Sequence, residues 1–242
     1  LVSHELSDTL RRLARLFQVS LATLCHLAFA RFLACASGKK NIIFGTVLFG
    51  RLQDGDQNED ALGLWINTLP LRLDIDPIPV EEIVYKTHSR ISELLTHEHA
   101  SFPMAQQCSN VPESSLLFSA LLNYRYNKSI ENLFIKGVKF LHSEERTNYP
   151  LSLSVEDNGN SLGLTTQVIS PLSAQQICDY MEWSLYSLAH ALEHRPSQSI
   201  QTLSVMPISE QKLVLETWTH DVVTYEITNC CIHQIFEAQG TV

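Results

Sequence analysis

The chain has 242 residues, 45% of them hydrophobic, and a formal net charge of −9 at pH 7. That is enough for one large domain, or one domain and an appendage, around a packed core. The acid excess, without any cluster of Lys and Arg, excludes nucleic acid as a partner. The longest apolar runs are broken by Arg31, Cys35 or Thr68, and an amphipathic helix occupies the N-terminus in place of a signal peptide. No membrane span or secretion is therefore expected, and the location read from the sequence is cytoplasmic.

Ser3 is placed to cap a helix with Leu6, Leu10, Leu13, Ala14, Leu16 and Phe17 at helical spacing. A second helix restarts at Val19-Ser20. Its apolar residues surround it from Leu21 to Ala36, which predicts burial, and Ser37-Gly38-Lys39-Lys40 ends it. Two short apolar runs follow, Ile42 to Phe49 and Leu64 to Leu73, separated by a loop of Gln, Asp, Asn and Glu. Their Val, Ile, Leu, Phe and Trp content and short length predict buried strands.

Asp76-Pro77-Ile78-Pro79 is a turn before an amphipathic helix from Val80 to His99, and Phe102-Pro103 opens a short helix ending near Cys108. Leu116 to Tyr126 and Phe134 to Leu141 read as strands. Leu151 to Glu156 and Leu162 to Val168 flank Asp157-Asn158-Gly159-Asn160, an Asn-Gly hairpin signal. Ser173 caps a long helix to about His194. From Pro196 the texture changes, and residues 200–228 read as a linker that packs on a surface through Leu203, Val205, Met206, Leu213, Leu215 and Trp218.

The chemistry is sparse. His4-x-x-x-Asp8 falls at the exposed start of the first helix, where Asp8 favours the dipole. His97-x-His99 lacks a third ligand, so no metal is expected. The six cysteines Cys25, Cys35, Cys108, Cys178, Cys230 and Cys231 read as buried structural thiols, without zinc or CxxC spacing. No GxSxG, P-loop, GxGxxG or HExxH occurs, so no residue is assigned as catalytic. The stretch best suited to line a site is Gly45 to Leu73, because polar groups within buried runs need partners or face a cavity. Arg51 at a strand end either clamps Asp54, Asp56 or Glu59 or meets a ligand. Asn123-Tyr124-Arg125, closing the Leu116 strand, poses the same choice.

The order of these segments resembles the condensation domains of nonribosomal peptide synthetases, within the chloramphenicol acetyltransferase-like superfamily. The matching residues are Val19 to Leu24, Phe44 to Val47 with Gly50-Arg51, the run Leu62-Gly63-Leu64-Trp65-Ile66-Asn67-Thr68-Leu69-Pro70-Leu71-Arg72, then Leu117 to Arg125 and Arg146 to Leu151. The likeness covers residues 2–199. Leu203 to Trp218 is similar to the linker after such a domain, and Ile232 to Gln239 to the opening of an adenylation domain. The chain departs from the family at Met104-Ala105, where Phe-Glu is usual, and it contains no HHxxxDG, the motif that carries the family's active-site histidine.

The resemblance therefore implies an α/β fold: the C-terminal lobe of a two-lobed architecture, with a mixed β-sheet flanked by helices. It divides the chain into a lobe (1–199), a linker (200–228) and the start of an adenylation domain (229–242). It implies partners in an N-terminal condensation lobe, donor and acceptor carrier proteins with their phosphopantetheine arms, and a downstream adenylation domain. The substrate-channel residues it suggests are Arg51, Trp65, Asn67, Thr68, Asn123 and Arg125. The loop Gln53 to Asp60 would be one crossover between lobes and the hairpin around Asn148 to Leu164 another. The parent reaction is amide formation between a carrier-bound acyl or peptidyl donor and an aminoacyl acceptor, and the fragment alone is expected to be inactive. Epimerisation, dual epimerisation and condensation, and a non-catalytic docking module are the alternatives. Alone, the lobe is expected to self-associate through apolar surface.

Overall fold

The computed structural model describes residues 1–49, 65–112, 115–127, 141–142, 144–219 and 231–239. They form two units, Leu1–Pro207 and Ile208–Val242. The first unit therefore runs past the boundary expected at residue 199.

In the first unit, helix α1 (His4–Leu16) starts where the Ser3 hydroxyl accepts from the Leu6 N–H, and α2 (Leu21–Ser37) where Ser20 does the same for Thr23. Gly38 ends α2 in the left-handed region at φ 67°, a conformation that costs glycine nothing. As its composition predicts, α2 is buried nearly throughout, including Leu24, Leu27, Phe29 and Phe32. Each such side chain contributes about 2 kcal/mol when removed from water. Among the described residues no single helix is long and apolar enough to cross a membrane.

Strand β1 (Asn41–Leu48) pairs antiparallel with β2 (Asn67–Asp74), from Asn41 opposite Asp74 to Leu48 opposite Asn67. Helices α3 (Val80–Leu95) and α4 (Phe102–Cys108) follow, then β3 (Ala120–Tyr126), the hairpin of β4 (Leu151–Asp157) and β5 (Leu162–Val168), and the long α5 (Ala174–His194) capped by Ser173. The sheet order is β2-β1-β3-β4-β5, with β1, β3 and β4 parallel and both edges antiparallel. Pro70 is tolerated because β2 is an edge.

Two expected elements differ, and a third falls outside the described residues. The second strand starts at Asn67, so Asn67-Thr68 opens it, with Trp65-Ile66 irregular ahead of it; Leu64 lies outside the described residues. The third begins at Ala120, with Leu116 to Ser119 irregular, because Phe118 leaves the strand line to pack its ring over Gly45. The strand expected from Phe134 lies outside the described residues up to residue 140. The second unit holds α6 (Ile208–Lys212), a π-helical turn Leu213–Trp218 and α7 (Ile232–Gln239). Of the linker residues expected to pack, Leu203 is buried, whereas Leu215 and Trp218 are exposed.

Helices α1, α2, α3 and α5 share one core with the inward face of the sheet, made of Ile42, Phe44, Leu71, Leu73, Leu122, Leu153, Val155 and Leu162. Two polar devices are embedded in it. His26 of α2 is buried, its Nδ1 2.6 Å from the Ala22 carbonyl and its Nε2 2.7 Å from the Thr46 hydroxyl of β1. A neutral imidazole satisfies both, donating to the carbonyl and accepting from Thr46. At the end of β4, Asp157 accepts from Arg11 at 2.6 Å, from the Tyr124 hydroxyl at 2.6 Å and from the Gly159 N–H at 2.9 Å. Burial raises the Asp157 carboxyl, but those bonds outweigh it and hold the group below the usual carboxylate range. Of the cysteines, Cys25 is buried, with its thiol pushed up to about 12 by burial, whereas Cys35, Cys108 and Cys231 are exposed. Helical spacing alone does not say which side of a helix end meets the core.

Burial holds His26 down to about 4, from 6.5. Between those values the unfolded chain takes up a proton that the folded chain refuses, so the stability from this site is complete above 6.5 and lost as pH falls toward 4, by roughly 3 kcal/mol. Urea midpoints taken from pH 7 to pH 4.5 should fall along that course. His26→Leu should be less stable at pH 7 yet flatter across the window. Asp157→Asn should cost about 3 kcal/mol by chemical denaturation at pH 7, because it leaves the Arg11 charge without its counterpart.

Candidate functional site: the outward face of the sheet

Side chains alternate along a strand, so the residues between the core positions face the other way. On β1 these are Ile43, Gly45 and Val47. Val47 is opposite Thr68 of β2, Gly45 opposite Leu121 of β3, Asn123 opposite Ser154 of β4, and Ser154 opposite Thr165 of β5. Thr68, Val47, Asn123, Ser154 and Thr165 thus form one row across five strands, crossing β3 and β4 at their midpoints and β1 near its carboxyl end.

Beside the row, Phe118 lies over Gly45. A Cβ at Gly45 would come 2.3 Å from the Phe118 ring, so glycine is required for this approach. Tyr149 stacks on Phe118 with centroids 5.3 Å apart, and Phe102 of α4 meets it edge-on at 5.7 Å. An aromatic wall therefore bounds the polar row. Exposed apolar residues continue the surface, Ile43 at 40% and Leu116 at 71% exposure.

Asn123, at the centre of the row, is half-buried, and its Oδ1 is buried without a hydrogen-bond partner. Arg125, the next residue on this face, donates from both terminal nitrogens to Glu145, at 3.0 and 2.7 Å, and to the Ser154 hydroxyl at 3.3 Å; its Nε is buried and unpaired. The Arg125 bond and charge hold the Glu145 carboxyl below its ordinary value. Gln167 donates to the Glu145 carbonyl at 3.2 Å, so residues 144–150 are fastened along this face.

The suggested channel residues separate accordingly. Thr68, Asn123 and Arg125 come together on the outward face. Asn67 is opposite Leu48 and faces the other side; its Nδ2 donates to the Glu98 and Ala100 carbonyls at 2.8 and 2.7 Å, while its Oδ1 accepts from the Thr68 N–H. Its polar atoms hold the loop after α3 in place. Trp65 is half-buried just before β2. Arg51 and the loop Gln53 to Asp60 lie outside the described residues. The hairpin expected to cross between lobes is paired along its whole length and closes in a tight turn, with Gly159 at φ 80°.

Ser154 and Thr165 were not singled out from the sequence. The alternation Leu151-Ser152-Leu153-Ser154-Val155-Glu156 carried the signal, since it describes a strand with one polar face. Glu98, between His97 and His99, has a fully buried carboxylate, with His99 Nε2 3.8 Å away and, among the described residues, neither oxygen hydrogen-bonded. His97 and His99 are exposed, and among the described residues no group of three or more His, Cys, Asp or Glu is placed to hold a metal. The row offers hydroxyls and an amide, suited to holding an amide or ester rather than to moving protons.

Comparison with known proteins supplies the context for this face. The chain is 49% identical over 241 residues to malpinin synthetase of Mortierella alpina, covering 99% of the chain and 3% of that enzyme. It overlays holo-AB3403, a four-domain nonribosomal peptide synthetase, with a TM-score of 0.72 at 18% identity, over 87% of the chain and 17% of that structure. It overlays the condensation domain of the Monacolin K polyketide synthase MokA with a TM-score of 0.68 at 18% identity, over 82% of the chain and 47% of that structure. The chain thus spans a small fraction of the synthetase and about half of a solved condensation domain. The condensation-domain family model matches residues 1–215, so the chain belongs to the condensation-domain family.

Proposed function

We propose that this chain is the C-terminal lobe of a peptide-synthetase condensation domain and forms one wall of the channel in which an amide bond is made. In the parent reaction the amine of an aminoacyl group, carried as a thioester on one carrier protein, attacks the thioester carbonyl of a donor on another. The C–N bond forms as the C–S bond breaks, and the donor thiol departs with a proton. No HHxxxDG occurs in the 242 residues, and the row itself offers hydroxyls and an amide, none of them a base. The role of this wall is to bind and orient.

The observation that carries the reading is the buried Asn123 Oδ1, unpaired among the described residues, in the middle of a polar row on the outward face. Leaving such an acceptor unpaired costs about 1–3 kcal/mol, which a substrate N–H would recover. The amide groups of a phosphopantetheine arm, or the acceptor amine itself, have the matching donor. Thr68 and Ser154 supply hydroxyls beside it. Arg125 and Glu145 hold the flanking segment in position, and the aromatic wall at Phe118 and Tyr149 closes one side. The exposed Ile43 and Leu116 are suited to cover by the opposite lobe. The match to about half of a condensation domain supports this lobe assignment.

The test joins this chain to a lobe bearing HHxxxDG and supplies two loaded carrier proteins. The chain alone should form no amide, and the joined protein should. In the joined protein Asn123→Ala should lower kcat/KM about 10- to 100-fold, the effect of one positioning hydrogen bond, with an unchanged urea midpoint. Amide formation by the chain alone would refute the lobe assignment. An inactive joined protein with an intact motif would favour a docking module instead.

A further inference from the structure

The segment after α5 is held to the lobe by five kinds of contact. The N-terminus of α3 has no side-chain cap; instead its Val80 and Glu81 N–H groups donate to the carbonyls of Gln198 and Pro196 at 2.9 and 3.1 Å. Pro79 and Ser199 form an antiparallel bridge, and the Ile200 N–H donates to Ile78 at 3.0 Å. Ile200 and Leu203 are buried in the core cluster. The Gln201 amide donates to the Ile75 carbonyl at 2.7 Å. Finally Arg31, on the middle of α2, reaches across to this segment: its Nη2 donates to the Gln201 and Leu203 carbonyls at 2.6 and 2.7 Å, and its Nε to Leu203 at 3.2 Å.

The Arg31 Nη2 bridges two carbonyls two residues apart, and Nε gives the Leu203 carbonyl a second donor from the same plane, which a single ammonium nitrogen does not supply. It holds Leu203, the last fully buried side chain before the compact unit ends at Pro207.

We propose that residues 196–203 are a locked strap and that Arg31 is the lock, setting the point from which the polypeptide leaves this lobe toward the unit that begins at Ile208. The inference does not depend on the channel reading. It concerns how long a tether the following unit has. Releasing 196–203 would add on the order of 25 Å of reach at full extension, at about 3.3 Å per residue, and reach governs the effective concentration of a tethered partner.

Hydrogen exchange on the 242-residue chain tests the lock. In Arg31→Met, the Ile200, Thr202 and Leu203 amides should exchange at least tenfold faster, with β4 unchanged. Spin labels on the exposed Asp8 and Glu216 should report a longer and broader distance distribution. Arg31→Lys should fall between. Unchanged exchange overturns the lock. Faster exchange with an unchanged distance distribution overturns the tether role, since a purely structural contact would loosen the strap without altering reach. If Arg31→Met does not fold, Gln201→Ala decides. It removes one anchor without touching α2 and should speed exchange of the same amides about threefold; no change would overturn the proposal.

Discussion

A β-sheet has two faces, and this chain covers only one of them with its long helices. Everything that positions the candidate site follows from that asymmetry. On the covered face most strand residues are apolar, and the polar atoms of His26, Asp157 and Ser184 each find a partner within the chain. On the other face the same strands present Thr68, Asn123, Ser154 and Thr165. An amide oxygen at its centre is buried without a donor. An unsatisfied buried acceptor is a cost that folding alone does not repay, and a donor brought to this face would recover it.

Three arginines carry out a common task. Arg11 joins α1 to the end of β4 through Asp157, Arg31 joins α2 to the strap after α5, and Arg125 joins β3 to residues 144–150 through Glu145. Arg11 grips the end of a strand, Arg31 a short 3-10 turn and the residue after it, and Arg125 a segment of irregular structure. The guanidinium suits this work because it stays charged at any ordinary pH and presents several donors in one plane. The partners differ with burial: a carboxylate inside the core for Arg11, an exposed one for Arg125, backbone carbonyls for Arg31.

The edges of the sheet are as informative as its centre. β2 carries Pro70, and β5 closes against β4 in a tight hairpin. Neither arrangement interferes with the parallel trio β1, β3 and β4, whose register lines the row up across the sheet. The row lies beside an aromatic wall that depends on Gly45 having no side chain.

Several features were legible in the sequence because they rest on local physics. Ser3, Ser20, Ser101 and Ser173 mark helix starts through side-chain caps, Gly38 marks a stop, and the 3.6-residue spacing of Leu6, Leu10 and Leu13 names the buried side of α1. The order of motifs also pointed to the condensation family before any geometry was known. What tertiary structure alone decided was which polar residues share a face and which are already occupied. Asn67 and Thr68 are neighbours in sequence, yet strand alternation sends them to opposite sides, and only the fold reveals that the Asn67 amide is spent on Glu98 and Ala100. Ser154 joins Asn123 through strand register, and Arg31 meets Leu203 across 172 residues. Register and long-range contacts depend on how the elements pack against one another, and no local pattern of residues encodes them.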